Sequence, residues 1–322
     1  MNANKSLITT FFFSIMMLCS NVLAADISGN NPAQVSSSPG KATYSLLLPE
    51  DLTAFEISLT VPVREGKEQP EERGTTENLF SLEFPKLLLR DTRYILTSPA
   101  HWDGHDWTIF SVAALGVGAA AFLDNPVRNL VERNQNSSTS TTAQDVRCAA
   151  GVCSFAILGL FYTEGTLCHD DVGKAVAIDG AAASLVASGI VTPTLKFAFG
   201  RARPYTDEGN HYFTPFSGKN LSFPSGETTQ AFTVASVVAA HYDELWMQGA
   251  SYGIASLTGM ARIYKDAHWT SDALAGGLIG NAVGTAIVRF NEKRRKAKKD
   301  TGLLIAPLFA RGTAGIGITL VE

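Results

Sequence analysis

The chain has 322 residues, 45% of them hydrophobic and 17% charged, and a formal net charge of −4. That length and apolar content suffice for one large domain with a sizeable core. The mildly negative balance, with no Lys/Arg stripe interleaved with aromatics, argues against nucleic acid as a partner.

Residues 1–24 read as a secretory signal. Lys5 supplies the charged start, Phe11 to Cys19 the apolar stretch, and Val22-Leu23-Ala24 a small-residue cleavage site. The apolar run is shorter than the ~20 residues a membrane span needs, so export to the periplasm is expected. Residues 25–84 form an N-terminal extension: a segment rich in Ser, Asn, Pro and Gly, then a strand-like alternation from Phe55 to Val63, then a loop. The helical domain is expected over 85–293. An amphipathic helix from Pro85 to Ser98 opens it, followed by segments near 106–123, 143–163, 170–199, 226–241, 244–263 and 268–293. Asp103, Asp106 and Trp107 mark a helix start. Residues 134–142 form a polar loop, and Arg201 to Asn220 a longer one rich in Pro, Gly and Asn. Residues 294–322 hold the rest of a basic run, Lys293 to Lys299, and two short strands around Arg311-Gly312. Once Cys19 leaves with the signal, Cys148, Cys153 and Cys168 remain. A disulfide from Cys168 to either partner, or burial of all three as small hydrophobes, stays open. No metal-ligand spacing is visible.

Three segments carry chemistry. The first runs from Lys196 to Arg203-Pro204, the second is Phe223-Pro224-Ser225-Gly226-Glu227, and the third runs from Arg262 through His268 to Asp272. The second and third open helices and the first follows the end of one, so all three lie at one end of the bundle. A helix beginning at Ser225-Gly226 offers free backbone N–H groups and the positive end of its dipole to an oxyanion. Taken alone, the same segment is equally a helix cap. Arg203 and Arg262 can each present a planar fork to phosphate oxygens, and Lys196 a point charge. Arg201 reads as a solvated neighbour of Arg203. His268 and Asp272, four residues apart on one helix face, can meet, the carboxylate fixing one imidazole nitrogen and freeing the other to attack phosphorus. His211 lies in the loop between the first two segments, as an ordinary loop residue or a stand-in acid; His101 and His105 flank the Asp103 helix start.

Together these segments resemble the type 2 phosphatidic acid phosphatase and vanadium haloperoxidase superfamily, over about residues 85–293. The resemblance implies an all-α helical bundle of that type, here with short flanking strands at both ends. It implies a phosphohistidine on His268, oriented by Asp272, with the phosphoryl group held by Lys196, Arg203, Ser225, Gly226 and Arg262, and no metal or other cofactor. Two positions depart from the pattern. Ala261 replaces the serine before Arg262, and Glu227 replaces the histidine that protonates the leaving oxygen. A carboxylic acid performs that step if burial and an adjacent phosphate dianion keep it protonated, which predicts an acid-shifted pH profile. The expected function is an exported phosphatase acting on a phosphomonoester or a lipid phosphate or diphosphate. The alternative is an inactive phosphate- or phospholipid-binding envelope protein, and vanadate-dependent halide oxidation is a third reading. Asp171, Lys174 and Asp179 are costly in lipid. An exported N-terminus would also leave Arg294-Arg295-Lys296 outside, against the positive-inside tendency. Both points favour a soluble bundle, with association at a membrane surface left open.

Overall fold

The computed structural model describes residues 77–134, 154–300, 302–310 and 313–321. The first unit, Met1–Gln69, lies outside the described residues, and with it the expected signal and first strand. The second unit is a helical bundle. Its helices are α1 (Glu83–Thr97), α2 (Gly104–Ala121), α3 (Asp124–Asn134), α4 (described over 154–167), α5 (Asp171–Val186), α6 (Thr192–Phe199), α7 (Gly226–His241), α8 (Leu245–Tyr264) and α9 (Thr270–Asp300). An antiparallel hairpin follows, β1 (Gly302–Ala310) with β2 (Thr313–Val321), in register from Gly302 opposite Val321 to Ala310 opposite Thr313.

Local chemistry accounts for the boundaries. Asp103 caps α2, its carboxylate accepting from the His105 and Asp106 backbone N–H groups while Asp106 reaches back to the Asp103 N–H. Asp170 caps α5 through the Val172 N–H. The expected single helix over 170–199 is broken into α5 and α6 by a π turn, Ala187–Val191. Pro193 lacks the N–H that would continue the ladder back to Gly189, which loosens the backbone there. Gly200 ends α6 with φ +58, and a Cβ there would strike the Thr214 carbonyl, so the chain turns sharply into Arg201. Helix α3 has no counterpart in the pattern reading, because its residues are mostly polar; α2 and α3 meet at a bend of 50°.

Helix α7 is the centre of the bundle, packed against α5, α8 and above all α9. Close approach to α9 depends on a stripe four residues apart, Gly276, Gly280 and Gly284, which face the Ser225 carbonyl, the Thr229 carbonyl and the Ser236 hydroxyl. Gly280→Ala would drive a methyl into the Thr229 carbonyl and the Phe232 Cβ, and the α7 backbone cannot yield without shifting. A loss of about 1–3 kcal/mol is expected, read as a lower thermal midpoint in detergent.

Far from the three motifs, a buried polar network ties α1, α5, α7 and α9 together. Arg295 grips Asp179 with both nitrogens, at 3.1 and 2.8 Å, and His241 Nε2 stands 3.2 Å from the same carboxylate. Asn291 donates to Asp179 at 3.0 Å and to Asp91 at 3.1 Å. Burial pushes the Asp91 carboxyl up to about 7, against the Asn291 hydrogen bond.

Asp171–Phe199 and Thr270–Ala297 are long and apolar enough to cross a membrane, and the bent pair α2–α3 makes a third if counted as one span. Ile109, Phe110, Val112 and Leu115 on α2 and Met260 on α8 stand exposed. These findings run against the expectation of a soluble bundle. The charges that argued for it are compensated: Asp179 by Arg295 and His241, and Asp171 by Lys174 at 3.2 Å. Cys168 is free and half-buried; Cys148 and Cys153, and the disulfide question with them, lie outside the described residues.

Candidate active site

The site forms where α6 ends, α7 begins, α8 ends and α9 begins. One backbone bond joins the second and third segments directly, from the Ser225 N–H to the Asp272 carbonyl at 3.0 Å. Ser225 is the N-cap residue of α7, fully buried, and its hydroxyl shares a hydrogen with Thr228 Oγ1 at 2.9 Å. The first-turn N–H groups of α7 lack helical acceptors by construction and carry the positive end of its dipole. Lys196 Nζ donates to the carbonyls of Leu221 and Ser222, at 2.5 and 3.4 Å. Its Cε lies 3.7 Å from where a Gly226 Cβ would stand, so glycine leaves the ammonium room beside the first turn. The charges of Arg203, Asp272, Arg262 and Glu227 all act on Lys196, which places these five groups in one electrostatic neighbourhood.

Arg203 lies with its guanidinium 5.9 Å from the Tyr205 ring centroid, and its side chain makes no hydrogen bond or ion pair to any described residue. Arg262 is buried on the last turn of α8, its Nε 2.5 Å from Glu227 Oε2. The position that departs from the family pattern is thus bound to one of the phosphate-binding candidates.

His268 sits just before α9 and is 4% exposed. Its Nδ1 lies 3.7 Å from Asp272 Oδ2 and 3.5 Å from Ser222 Oγ, so Nε2 is the nitrogen left for other chemistry. Burial pushes its pKa down to about 4, with the Lys196 and Arg203 charges acting the same way against the Asp272 carboxylate. At neutral pH the ring is uncharged. Asp272 Oδ2 accepts from Ser222 Oγ at 2.5 Å and from the Trp269 N–H at 3.0 Å, while Oδ1 accepts from Arg201 Nη1 at 2.7 Å.

Arg201 is the correction. It is no solvated neighbour of Arg203; it is 3% exposed, and its Nη2 lies 2.6 Å from Asp124 Oδ2. The sequence reading also passed over Asp124, Ser222 and Ser271, all buried here, and Arg128, which clamps Asp266 and Asp207 at 2.8 and 2.7 Å. The Asp124-Asn125-Pro126 run carries the signal that finds α3, an acidic start followed by an early proline. His211 is exposed, with no bond to a site residue, and His101 Nδ1 lies 3.0 Å from the carbonyl of Thr97 at the end of α1. Among the described residues no group of three or more His, Cys, Asp or Glu could hold a metal ion. The arrangement suits an anion: two guanidiniums and an ammonium around a helix N-terminus, facing a neutral, buried imidazole.

The chain is 37% identical over 91 residues to a lipid A 1-phosphatase of Porphyromonas gingivalis, covering 28% of this chain and 18% of that protein. It is 38% identical over 111 residues to a lipid A 1-phosphatase of Rhizobium etli, covering 33% and 47%. The chain therefore spans less than half the length of these relatives. Among solved structures, that of Aquifex aeolicus LpxE gives 22% identity and a TM-score of 0.42, over 52% of this chain and 95% of that one. A transmembrane PAP2 type phosphatidylglycerolphosphate phosphatase from Bacillus subtilis gives 16% and 0.42, over 66% and 98%. Residues 180–296 match the model of the PAP2 superfamily, a stretch that holds every candidate residue from Lys196 to Asp272. Over this segment the chain is similar to the PAP2 superfamily.

Proposed function

We propose that the protein is a membrane-associated phosphatase that removes phosphate from a lipid phosphate through a phosphohistidine on His268. The observation that carries this reading is the neutral, buried His268, with Asp272 on its Nδ1 side and Lys196, Arg203 and Arg262 grouped at the start of α7. Nε2 attacks phosphorus, the bond to the leaving oxygen breaks, and that oxygen takes a proton from Glu227. Water then attacks the phosphohistidine, giving a proton back to Glu227 and releasing inorganic phosphate and neutral His268. Phosphate oxygens arriving at Arg262 take over the fork now shared with Glu227, which frees that carboxyl to face the leaving oxygen.

Lipid A 1-phosphatases among the relatives and the exposed apolar helices support a lipid substrate over a soluble ester. Helix α9 runs from the site end to the basic residues 293–299. The positive-inside tendency keeps that end in the cytoplasm and sets the site at the outer, periplasmic face. The Glu227–Arg262 pair favours one second reading, a phosphate-binding protein without turnover, because it occupies the fork and leaves no histidine as acid.

The test is phosphate release by the purified full-length protein in detergent, from a lipid A 1-phosphate, phosphatidic acid and a chromogenic phosphomonoester. Turnover of a lipid substrate well above the chromogenic ester is expected. Glu227→Gln should then lower kcat by about 10²-fold or more while leaving phosphate affinity within a few-fold. Unchanged turnover in that variant removes Glu227 as the acid. Phosphate binding with no turnover of any substrate establishes the second reading.

A further inference from the structure

The mechanism gives no part to the most thoroughly fixed charge near the site. Arg201 is buried between two buried aspartates, its Nη2 2.6 Å from Asp124 Oδ2 and its Nη1 2.7 Å from Asp272 Oδ1. Ser271 closes the ring. Its hydroxyl donates to Asp124 Oδ2 at 2.8 Å and accepts from Arg201 Nη1 at 2.7 Å, and its backbone N–H donates to Asp124 Oδ1 at 2.9 Å. Arg201 Nε and Nη2 also reach the Asn210 carbonyl, at 3.0 and 2.7 Å, so the plane of the guanidinium is set from every side.

Charge balance gives this arrangement a purpose. As the N–P bond forms at Nε2 the imidazole, keeping its proton on Nδ1, turns positive, and Asp272 is the counter-charge on that side. Arg201 bound to Asp272 alone would neutralise it. Asp124 draws on the same guanidinium, so two carboxylates share one cation and a negative charge is left for the ring. Asp124 comes from the start of α3, outside all three motif segments and outside the segment that matches the family.

We propose that Asp124 and Arg201 are positioning residues for the phosphoryl-transfer step: Arg201 fixes the direction of the Asp272 carboxylate, and Asp124 keeps the charge of that carboxylate available to His268. The proposal rests on the reading of His268 as nucleophile.

The experiment measures kcat and KM on a lipid phosphate monoester between pH 3 and 9, with full-length protein in detergent. It compares wild type with Asp124→Asn, Asp124→Glu, Ser271→Ala and His268→Ala, and records a thermal melt of each. Asp124→Asn is expected to lower kcat by about 10- to 100-fold, the scale on which partners once removed from a reacting group act. KM should stay within about threefold, the mark of an interaction made in the transition state. The acid limb of kcat should move to lower pH, because the unshared Arg201 charge disfavours protonation of His268. The other groups facing the ring stay as they are: Lys196 from α6, Arg203 from the following loop, and Ser222 ahead of α7. Asp124→Glu should recover part of the rate, and Ser271→Ala, which removes no charge, should lose rate in the same direction by less. An Asp124→Asn enzyme with wild-type kcat overturns the proposal. So does a loss explained by a smaller folded fraction, with the acid limb unmoved in both Asp124→Asn and Ser271→Ala. Failure of the phosphatase reading is a separate result, in which wild type releases no phosphate or His268→Ala is as active as wild type, and the proposal falls with it.

Discussion

Alanine at position 268 should abolish phosphate release, lowering kcat by at least about 10³-fold while inorganic phosphate or vanadate still binds. Neither His211 nor His241 is placed to substitute for it: His211 is exposed in a loop, and His241 lies at the far end of α7, about 22 Å away at 1.5 Å per residue. Lys196, Arg203 and Arg262 remain in the variant, so anion binding and turnover should separate. The nucleophile must be neutral. With its pKa held near 4 by burial, His268 keeps its attacking lone pair at all pH values above that point and loses it as pH falls through about 4. The acid limb of the rate should therefore stand about two units below the ordinary histidine range. Rapid acid-free quenching followed by mass spectrometry should find phosphate on residue 268 in wild type and none in the variant. A variant that keeps measurable turnover would remove the phosphohistidine mechanism.

The second large effect is on stability. Asp179→Ala should cost about 3–5 kcal/mol, because it leaves Arg295, its side chain only 10% exposed, without its carboxylate and the buried His241 facing an empty site. The loss is a desolvation penalty and not the worth of the pair. Pairing Asp179→Leu with Arg295→Met, which removes both charges, should therefore recover most of it. Thermal midpoints of the single and double variants in the same detergent measure the difference. Rate per folded molecule should be close to wild type, since the network stands at the other end of the bundle from His268. Equal midpoints for Asp179→Ala and wild type would show that the network does not hold α1, α5, α7 and α9 together.

How much of this was legible beforehand follows from the range over which each signal acts. The helix start at Asp103 was readable because a cap is made within three residues. Lys196, Arg203, Arg262, His268 and Asp272 stood out because their spacing along the chain already implies one end of a bundle, and the Ser225–Asp272 backbone bond joins two of the segments there. The expectation of a soluble bundle drew on Asp171, Lys174 and Asp179. Charge was visible in the sequence, but its compensation by Arg295 and His241, more than 60 residues away, was not.

Local pattern and motif spacing were thus enough, without coordinates, to read a helical bundle and to single out candidate groups for holding and attacking phosphate. What only the tertiary structure decided was the state of those groups. It pairs Glu227 with Arg262, buries Arg201 between Asp124 and Asp272, and brings in α3, a polar helix that no hydrophobic period reveals. The reason is physical. A helix cap or an amphipathic stripe is settled by neighbours a turn away, whereas the sign, exposure and partner of a buried charge depend on which distant carboxylate the packing brings within 3 Å.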